Sequence, residues 1–323
     1  MSREGSLQAA AGAGVRRRGV GISISSPGKF IQNGLRDLLR YATWIEELGF
    51  DTITIGEHII TSEEIAVRGN ERWYREQVLW PDPMVTLGAV AAVTERVRLC
   101  TSIYIVPLRP AAAVAKMVAT VDALSNGRLT LGVGAGWLQR EFDTLGVPMK
   151  GRFARMEDTI RACKVLWTEA PASFHSPTVN FDEVWCLPQP VQPGGPPILF
   201  AGDPGGAVAA RIAELGDGWI VRTGAVKDAA EEAEKITADI GQIRQAVAAA
   251  GRDPNLLLFQ IGTLAERDES GRPDLDAAFA RVNRYWDLGI EMVQVSLTQF
   301  VDRPEEVRPF LTAVAGALVT SRN

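Results

Sequence analysis

The sequence predicts an α/β protein built as a single (β/α)8 barrel with insertions at the face where the strands end. Three observations point there. Short apolar runs alternate with longer amphipathic ones along the whole chain, the apolar runs show little polar alternation, and they number eight. Strands that read as continuous Val, Ile, Leu and Phe are buried on both faces, the condition of parallel strands covered by helices. At roughly 150 residues per domain, a chain of 323 residues accommodates two ordinary domains or one large barrel. Eight βα units favour the barrel, because a doubly wound sheet would have fewer strands or a distinct second domain.

The elements follow in order. Residues 1–18 are small and polar and end in Arg16, Arg17 and Arg18, whereas a signal peptide carries its charges before an apolar run. They are expected to form a flexible arm, with the barrel domain over 19–323. The strand candidates are GVGISI (19–24), DTITIG (51–56), VRLCTSI (97–103), RLTLGVG (128–134), PPILFAG (196–202), DGWIVR (217–222), LLLFQIG (256–262) and MVQVSL (292–297). Between the first two, Leu35, Leu38, Leu39, Ala42, Ile45 and Leu48 form one helical stripe that stops at Gly49. Asp82-Pro83 supplies a cap and first-turn proline for the next helix, and Asn126-Gly127 ends the one after it. Further helical patterns run over 152–168, 205–215, 226–250, 274–288 and 304–319. Two stretches, 57–81 after the second strand and 135–150 continuing at 170–195 around the fourth unit, exceed ordinary connections, and long connections are usually functional. Both are assigned to the active face of the barrel, where the strands end.

Composition narrows the function. Hydrophobic residues at 46% and charged ones at 23% give ample core and exclude disorder. A net charge of −5 offers no basic surface for nucleic acid. Cys100, Cys163 and Cys186 lie far apart without a CxxC, which suggests neither a disulfide framework nor zinc and fits a reducing cytoplasm. His58 and His175 are the only histidines, too few for a typical transition-metal site. No stretch reaches about 18 uninterrupted apolar residues, so no membrane partner is expected. Chemistry beyond side chains is expected from an organic cofactor.

Four groups of residues carry possible chemistry. GVGAGW (132–137) has GxGxG spacing rather than GxGxxG, and two readings stand: glycines that let backbone approach a phosphate, or glycines that permit a close turn at the barrel mouth. Glu57 and His58 follow the second strand and place an acid and an imidazole together at the active face, suited to proton transfer or to anchoring a loop. His175, in SFHSPT, reads as a solvated loop residue. In AGDPGGAVAAR (201–211), Asp203-Pro204 has the form of a helix cap, while the following glycine amides make an anion site; the carboxylate either caps the helix or turns away from a bound phosphate. Trp137, Trp185 and Tyr104 are expected at the mouth, and Trp44, Trp167 and Trp286 in the core.

The segment from Val97 to Val147, VRLCTSIYIVPLRPAAAVAKMVATVDALSNGRLTLGVGAGWLQREFDTLGV, resembles the luciferase-like monooxygenase superfamily, in particular its deazaflavin (coenzyme F420)-dependent oxidoreductases. ELGFDTITIGEHI (47–59), GRFARMEDTIRACKVLW (151–167), LPQPVQPGGPPILFAGDPGGAV (187–208) and ELGDGWI (214–220) support it, and the likeness runs from Val20 to about Leu318. The resemblance implies a (β/α)8 barrel with F420 or FMN at the strand ends. Glu57 and His58 match the acid and histidine beside the cofactor ring. Ser102-Ile103 matches a non-proline cis peptide that forms a bulge behind that ring. Gly134, Gly136, Trp137 and Arg140 match the loop beside the cofactor tail, and Gly202, Asp203, Gly206 and Ala207 match the turn that contacts its phosphate.

Two departures bear on substrate. The family's sugar-phosphate dehydrogenase has a glutamate proton donor where this chain has Trp137, so glucose-6-phosphate oxidation is not expected, and it has glycine at Asp203. Only six of the 34 basic residues are lysines, the signature of a GC-rich genome in which deazaflavin enzymes are frequent, which favours F420. The expected activity is hydride transfer between F420 and a small organic substrate. The alternative is an FMN-dependent monooxygenase using reduced flavin and O2, fed by a separate reductase. A homodimer or higher oligomer is implied by the resemblance. A third reading, a barrel that binds without catalysis, is disfavoured by Glu57-His58 together with the bulge and the glycine turn.

Overall fold

Eight parallel strands close on themselves in the computed structural model, which describes residues 18–27, 30–65, 79–222, 228–263, 265–269 and 272–321. The expected arm lies outside these residues apart from Arg18, as does the middle of the connection after the second strand. In chain order the elements are β1 (Gly19–Ser23), α1 (Arg36–Glu47), β2 (Thr52–Ile55), α2 (Pro83–Ala91), β3 (Arg98–Thr101), β4 (Tyr104–Ile105), α3 (Ala111–Leu124) and β5 (Leu129–Gly134). There follow α4 (Gln139–Thr144), α5 (Arg152–Thr168), β6 (Ala172–His175), β7 (Asn180–Val184), β8 (Ile198–Ala201), α6 (Ala207–Leu215), β9 (Gly218–Val221) and α7 (Ala229–Ala249). The chain ends with β10 (Leu258–Gly262), β11 (Glu266–Arg267), β12 (Pro273–Asp274), α8 (Leu275–Asp287), β13 (Met292–Ser296), α9 (Leu297–Phe300) and α10 (Pro304–Ser321). Around the barrel the order is β1, β2, β3, β5, β8, β9, β10, β13, and β13 pairs back with β1 through Val20 and Val293. Each barrel strand falls within one of the eight runs read from the sequence.

Burial explains why these runs became strands. All of β2, β5 and β9 is buried, and Val20, Ile22, Ile53 and Leu99 have no exposed surface. Alternate residues of each strand point into the barrel, and the interior is divided. On one arc Gln294 packs over Gly21, where an added Cβ would come within 2.3 Å of Gln294 Oε1, and Cys100 Sγ lies 3.6 Å from Gln260 Oε1 across the barrel. On the other, Gly132 faces Ile220 and Gly218 faces Leu199. Glutamine side chains thus line one arc of the lumen, and Ile220 and Leu199 pack on the other.

The helices shield the outer faces as their periodicity requires. Helix α1 buries Leu38, Tyr41, Ala42 and Ile45, while Leu35, expected on the same stripe, precedes the helix and is 50% exposed. The Asp82 side chain accepts the Val85 N–H at 2.9 Å and Pro83 opens α2. Helix α3 ends through Asn126 and Gly127, both at positive φ. Trp167 and Trp286 are core residues whose indoles donate to the carbonyls of Ala115 and Gly19, and Trp44 packs against the same core. Among the described residues, no helix is long and apolar enough to cross a membrane.

One expectation is corrected. The 170–195 stretch follows α5 and precedes β8, so it joins a helix to a strand and lies at the N-terminal end of the barrel, away from the mouth. It forms the antiparallel β6–β7 hairpin. The buried Asp122 near the end of α3 then accepts the N–H groups of Val191 and Gln192, and Gln192 Nε2 donates to Leu129 O at the foot of β5. His175 pairs with Asp182 across the exposed hairpin at 2.9 Å, as expected of a solvated residue. Trp185 is 63% exposed in the same connection, so it is no wall of the pocket.

All three cysteines are unpaired and buried. Burial pushes the Cys100 thiol up to about 12 and raises Cys163 as well. Native protein at pH 8 is therefore expected to leave Cys100 and Cys163 unmodified by iodoacetamide, with labelling at both only after denaturation, as mass spectrometry of the peptides would show.

Candidate active site at the barrel mouth

Strand β2 delivers the central residues. It ends at Ile55 and is followed by Gly56, where a Cβ would lie 2.9 Å from Ser102 O and whose N–H donates to Ser25 Oγ at 2.6 Å. Glycine lets the chain pass that close to β3. Glu57 and His58 follow, 5% and 7% exposed.

The two side chains diverge. Glu57 Oε2 accepts the Ile105 N–H at 2.7 Å, and Oε1 accepts Arg109 Nη2 at 2.5 Å. Arg109 also reaches Asp82 at 3.3 Å and lies over the ring of Tyr104, 4.5 Å from its centroid. Burial pushes the Glu57 carboxyl up against the pull of Arg109. Burial is the largest single influence on Arg109 and opposes its charge, but the bond to Glu57 together with the charges of Glu57, Tyr104 and Asp82 outweighs it and holds the guanidinium charged. Tyr104 is fully buried beneath this pair, so it belongs to the core rather than the pocket wall.

His58 pairs with Glu141. His58 Nδ1 lies 3.2 Å from Glu141 Oε2, and Glu141 Oε1 accepts the Ile59 N–H at 2.7 Å. Glu141 has no exposed surface. Trp80 and Trp137 set their rings nearly perpendicular to the imidazole, with centroids 4.8 and 5.8 Å away. The acid paired with His58 is therefore Glu141, 83 residues distant, while both oxygens of the adjacent Glu57 are engaged by Arg109 and Ile105. The sequence held a signal for Glu141. It sits three residues after Leu138 and next to Phe142, both fully buried, so helical spacing places a carboxylate on the apolar face of α4.

The Ser102–Ile103 peptide is cis, at the position the resemblance implied, between β3 and β4. Past it, Tyr104 and Ile105 pair with Val133 and Gly134 of β5. The GxGxG glycines fit this bulge. A Cβ on Gly132 would lie 2.0 Å from Thr101 O, on Gly134 2.2 Å from Ile103 Cδ1, and on Gly136 2.7 Å from Ile105 Cγ2, with Gly136 at φ +77°. Close packing against the bulged strand accounts for all three. Gly132→Ala is expected to destabilise the fold by about 3 kcal/mol, the upper end of overpacking costs, since its obstacle is backbone; urea unfolding would show it. Trp137 stands beside His58, whereas Arg140 projects outward, 62% exposed and 4.0 Å from Glu64 Oε1.

The turn after β8 departs from the capping pattern. Helix α6 begins at Ala207, its N-cap is Gly206 at φ +32°, and no side chain caps it. Asp203 lies three residues too early to cap and approaches Arg222 at 4.0 Å, both well exposed. Of the two readings of this turn, the cap is thus set aside. Gly202 is held at φ +128° with its carbonyl accepting Trp219 Nε1 at 2.7 Å. Among the described residues, none but their chain neighbours places an atom within 4 Å of a Cβ built on Gly205 or Gly206, which leaves the first amides of α6 open to a ligand, the arrangement that binds anions.

Comparison with known proteins shows which proteins the chain resembles. The chain is 33% identical over 226 residues to the F420-dependent glucose-6-phosphate dehydrogenase of Amycolatopsis mediterranei, covering 65% of this chain and 63% of that one. It is 30% identical over 200 residues to the FMNH2-dependent dimethylsulfone monooxygenase of Pseudomonas putida, covering 60% and 52%. The matches thus span less than two thirds of these relatives. The crystal structure of monooxygenase RslO1 from Streptomyces bottropensis superposes with a TM-score of 0.75 at 23% identity, over 94% of this chain and 100% of that one. A family model described as luciferase-like monooxygenase matches residues 16–317. With a closed parallel barrel and a match of that extent, the chain belongs to the luciferase-like monooxygenase family.

Proposed function

We propose that this protein is an F420-dependent oxidoreductase that transfers hydride between the deazaflavin and a small organic substrate, with His58 as the proton-handling group. The observation that carries the reading is the buried His58–Glu141 pair at the end of β2, one strand from the Ser102–Ile103 bulge. When bound, F420 supplies the carbon that gives or takes hydride. The residues present fit such a group. Ser102 and Ile103 would flank the ring, Gly134, Gly136 and Trp137 would lie beside the tail, and Gly202, Gly206 and Ala207 would hold the phosphate through open backbone amides, with Arg140 and Asp203 at the exposed rim.

His58 then acts on substrate. Glu141, accepting from Nδ1–H, fixes the tautomer and stabilises the imidazolium, so proton exchange with a substrate oxygen takes place at Nε2. Glu57 serves differently: it ties Ile105 and Arg109 behind the bulge and so shapes the surface on which the ring rests. Trp80 and Trp137 limit water around His58.

A second reading, an FMN-dependent monooxygenase, is favoured by the likeness to the Pseudomonas putida enzyme, since the same glycine turn suits either phosphate. Parallel fluorescence titrations with F420 and FMN decide between them. The proposal expects tighter binding of F420, and FMN binding with substrate-coupled O2 consumption would replace it. In His58→Ala, cofactor affinity is expected to persist while turnover of reduced F420 against neutral carbonyl compounds falls about 100- to 10,000-fold; unchanged turnover would remove His58 from the mechanism.

A further inference from the structure

We propose that the polar arc of the barrel lumen is a substrate subsite for a neutral amide or lactam group, formed by Gln294, Gln260 and Thr54. A cavity of about 120 Å3 opens there, lined by serine, threonine, glutamine and glycine throughout, with Ser102 of the cis peptide in its wall. That volume equals roughly four waters at about 30 Å3 each, the size of a small functional group. The inference rests on the proposed function, because Ser102 places the cavity beside the cofactor bulge.

Three buried side chains leave polar atoms unmatched along it. Gln294 is 5% exposed, Gln260 4% and Thr54 2%. Among the described residues, Gln294 Nε2 and Oε1, Gln260 Nε2 and Thr54 Oγ1 have no hydrogen-bond partner. Among the described residues, Gln260 Oε1 meets the weak Cys100 thiol at 3.6 Å and no stronger donor. Buried polar groups normally find partners, and leaving them unmatched costs stability. Several such groups converging on one cavity point to a ligand that completes them.

Their chemistry selects it. A carboxamide presents a donor and an acceptor side by side, which a cis amide or lactam edge matches with two hydrogen bonds. Among the described residues, no charged side chain lines the cavity, so an anion entering it would lose hydration and find no countercharge in the walls. A carboxylate or phosphate is thus disfavoured.

The test uses the isosteric pair propanamide and propionate, titrated by saturation-transfer NMR into cofactor-free and F420-loaded protein. Propanamide should bind in both states, and propionate at least about tenfold more weakly. Gln294→Leu should weaken propanamide binding at least about tenfold, the loss of two hydrogen bonds, while raising the melting temperature because unmatched polar atoms are gone. Gln260→Leu serves as a second variant should Gln294→Leu fail to fold. Equal binding of propionate, or undiminished propanamide binding in the folded variant, would overturn the proposal. Displacement of propanamide by F420 would assign the cavity to the cofactor instead and equally overturn it. The cofactor-free arm reads the subsite even if neither F420 nor FMN binds, which separates failure of this inference from failure of the functional reading.

Discussion

Glu141→Gln is expected to lower turnover about 100- to 10,000-fold, the range for loss of a general acid or base, with little change in KM, cofactor affinity or fold. The glutamine oxygen still accepts the Ile59 N–H that Glu141 Oε1 holds at 2.7 Å. Its NH2, however, faces His58 Nδ1 as a donor, which forces the imidazole proton to Nε2. The substrate then meets the wrong tautomer, and the imidazolium loses its counter-charge. Glu141→Asp keeps the charge on a shorter arm and should recover part of the rate. Because the chain has only two histidines, nitrogen-15 NMR reads the tautomer without ambiguity: His58 is expected with its proton on Nδ1 in the wild type and on Nε2 in Glu141→Gln. A fall in kcat with no change of tautomer would leave Glu141 a structural residue rather than a positioning one.

Glu57→Leu should have the largest effect on stability. It strands the Arg109 guanidinium, whose side chain is only 15% exposed, and frees the Ile105 amide beside the bulge. Removing one partner of a buried ion pair costs about 3–5 kcal/mol, visible as a lower midpoint in urea. The Asp82 contact at 3.3 Å compensates little, since Asp82 is 39% exposed and already caps α2. Glu57→Leu combined with Arg109→Met removes both charges and should restore most of that loss, whereas either change alone should not. Additive effects in this cycle would show that the pair does not hold the bulge.

The fold was legible because each barrel strand is apolar enough to be recognised alone, and because Asp82-Pro83, Gly49 and Asn126-Gly127 mark helix ends locally. Long-range relations were not. Glu57 and His58 are neighbours in sequence, yet consecutive residues leaving a strand point to opposite sides, so one turned to Arg109 and the other to Glu141. The same limit applies to Asp203: its cap signature is local, but the glycines after it delay the helix to Ala207. The 170–195 stretch was misplaced because length alone does not tell a strand-to-helix connection from a helix-to-strand one. Its position after α5 does, and that places the hairpin at the foot of the barrel. The polar lumen was hidden in strands whose outward residues, Ile261, Val293 and Val295, dominate the pattern, with Gln260 and Gln294 between them.

The crystal structure of the protein with F420 bound tests the central claim most directly. The account predicts the ring against the Ser102–Ile103 peptide, its phosphate on the amides at Gly206 and Ala207, and the His58 imidazole facing the reacting carbon across the substrate space with Glu141 still on Nδ1. A cofactor seated away from the bulge, or His58 turned from Glu141 and out of reach of the ring, would contradict it.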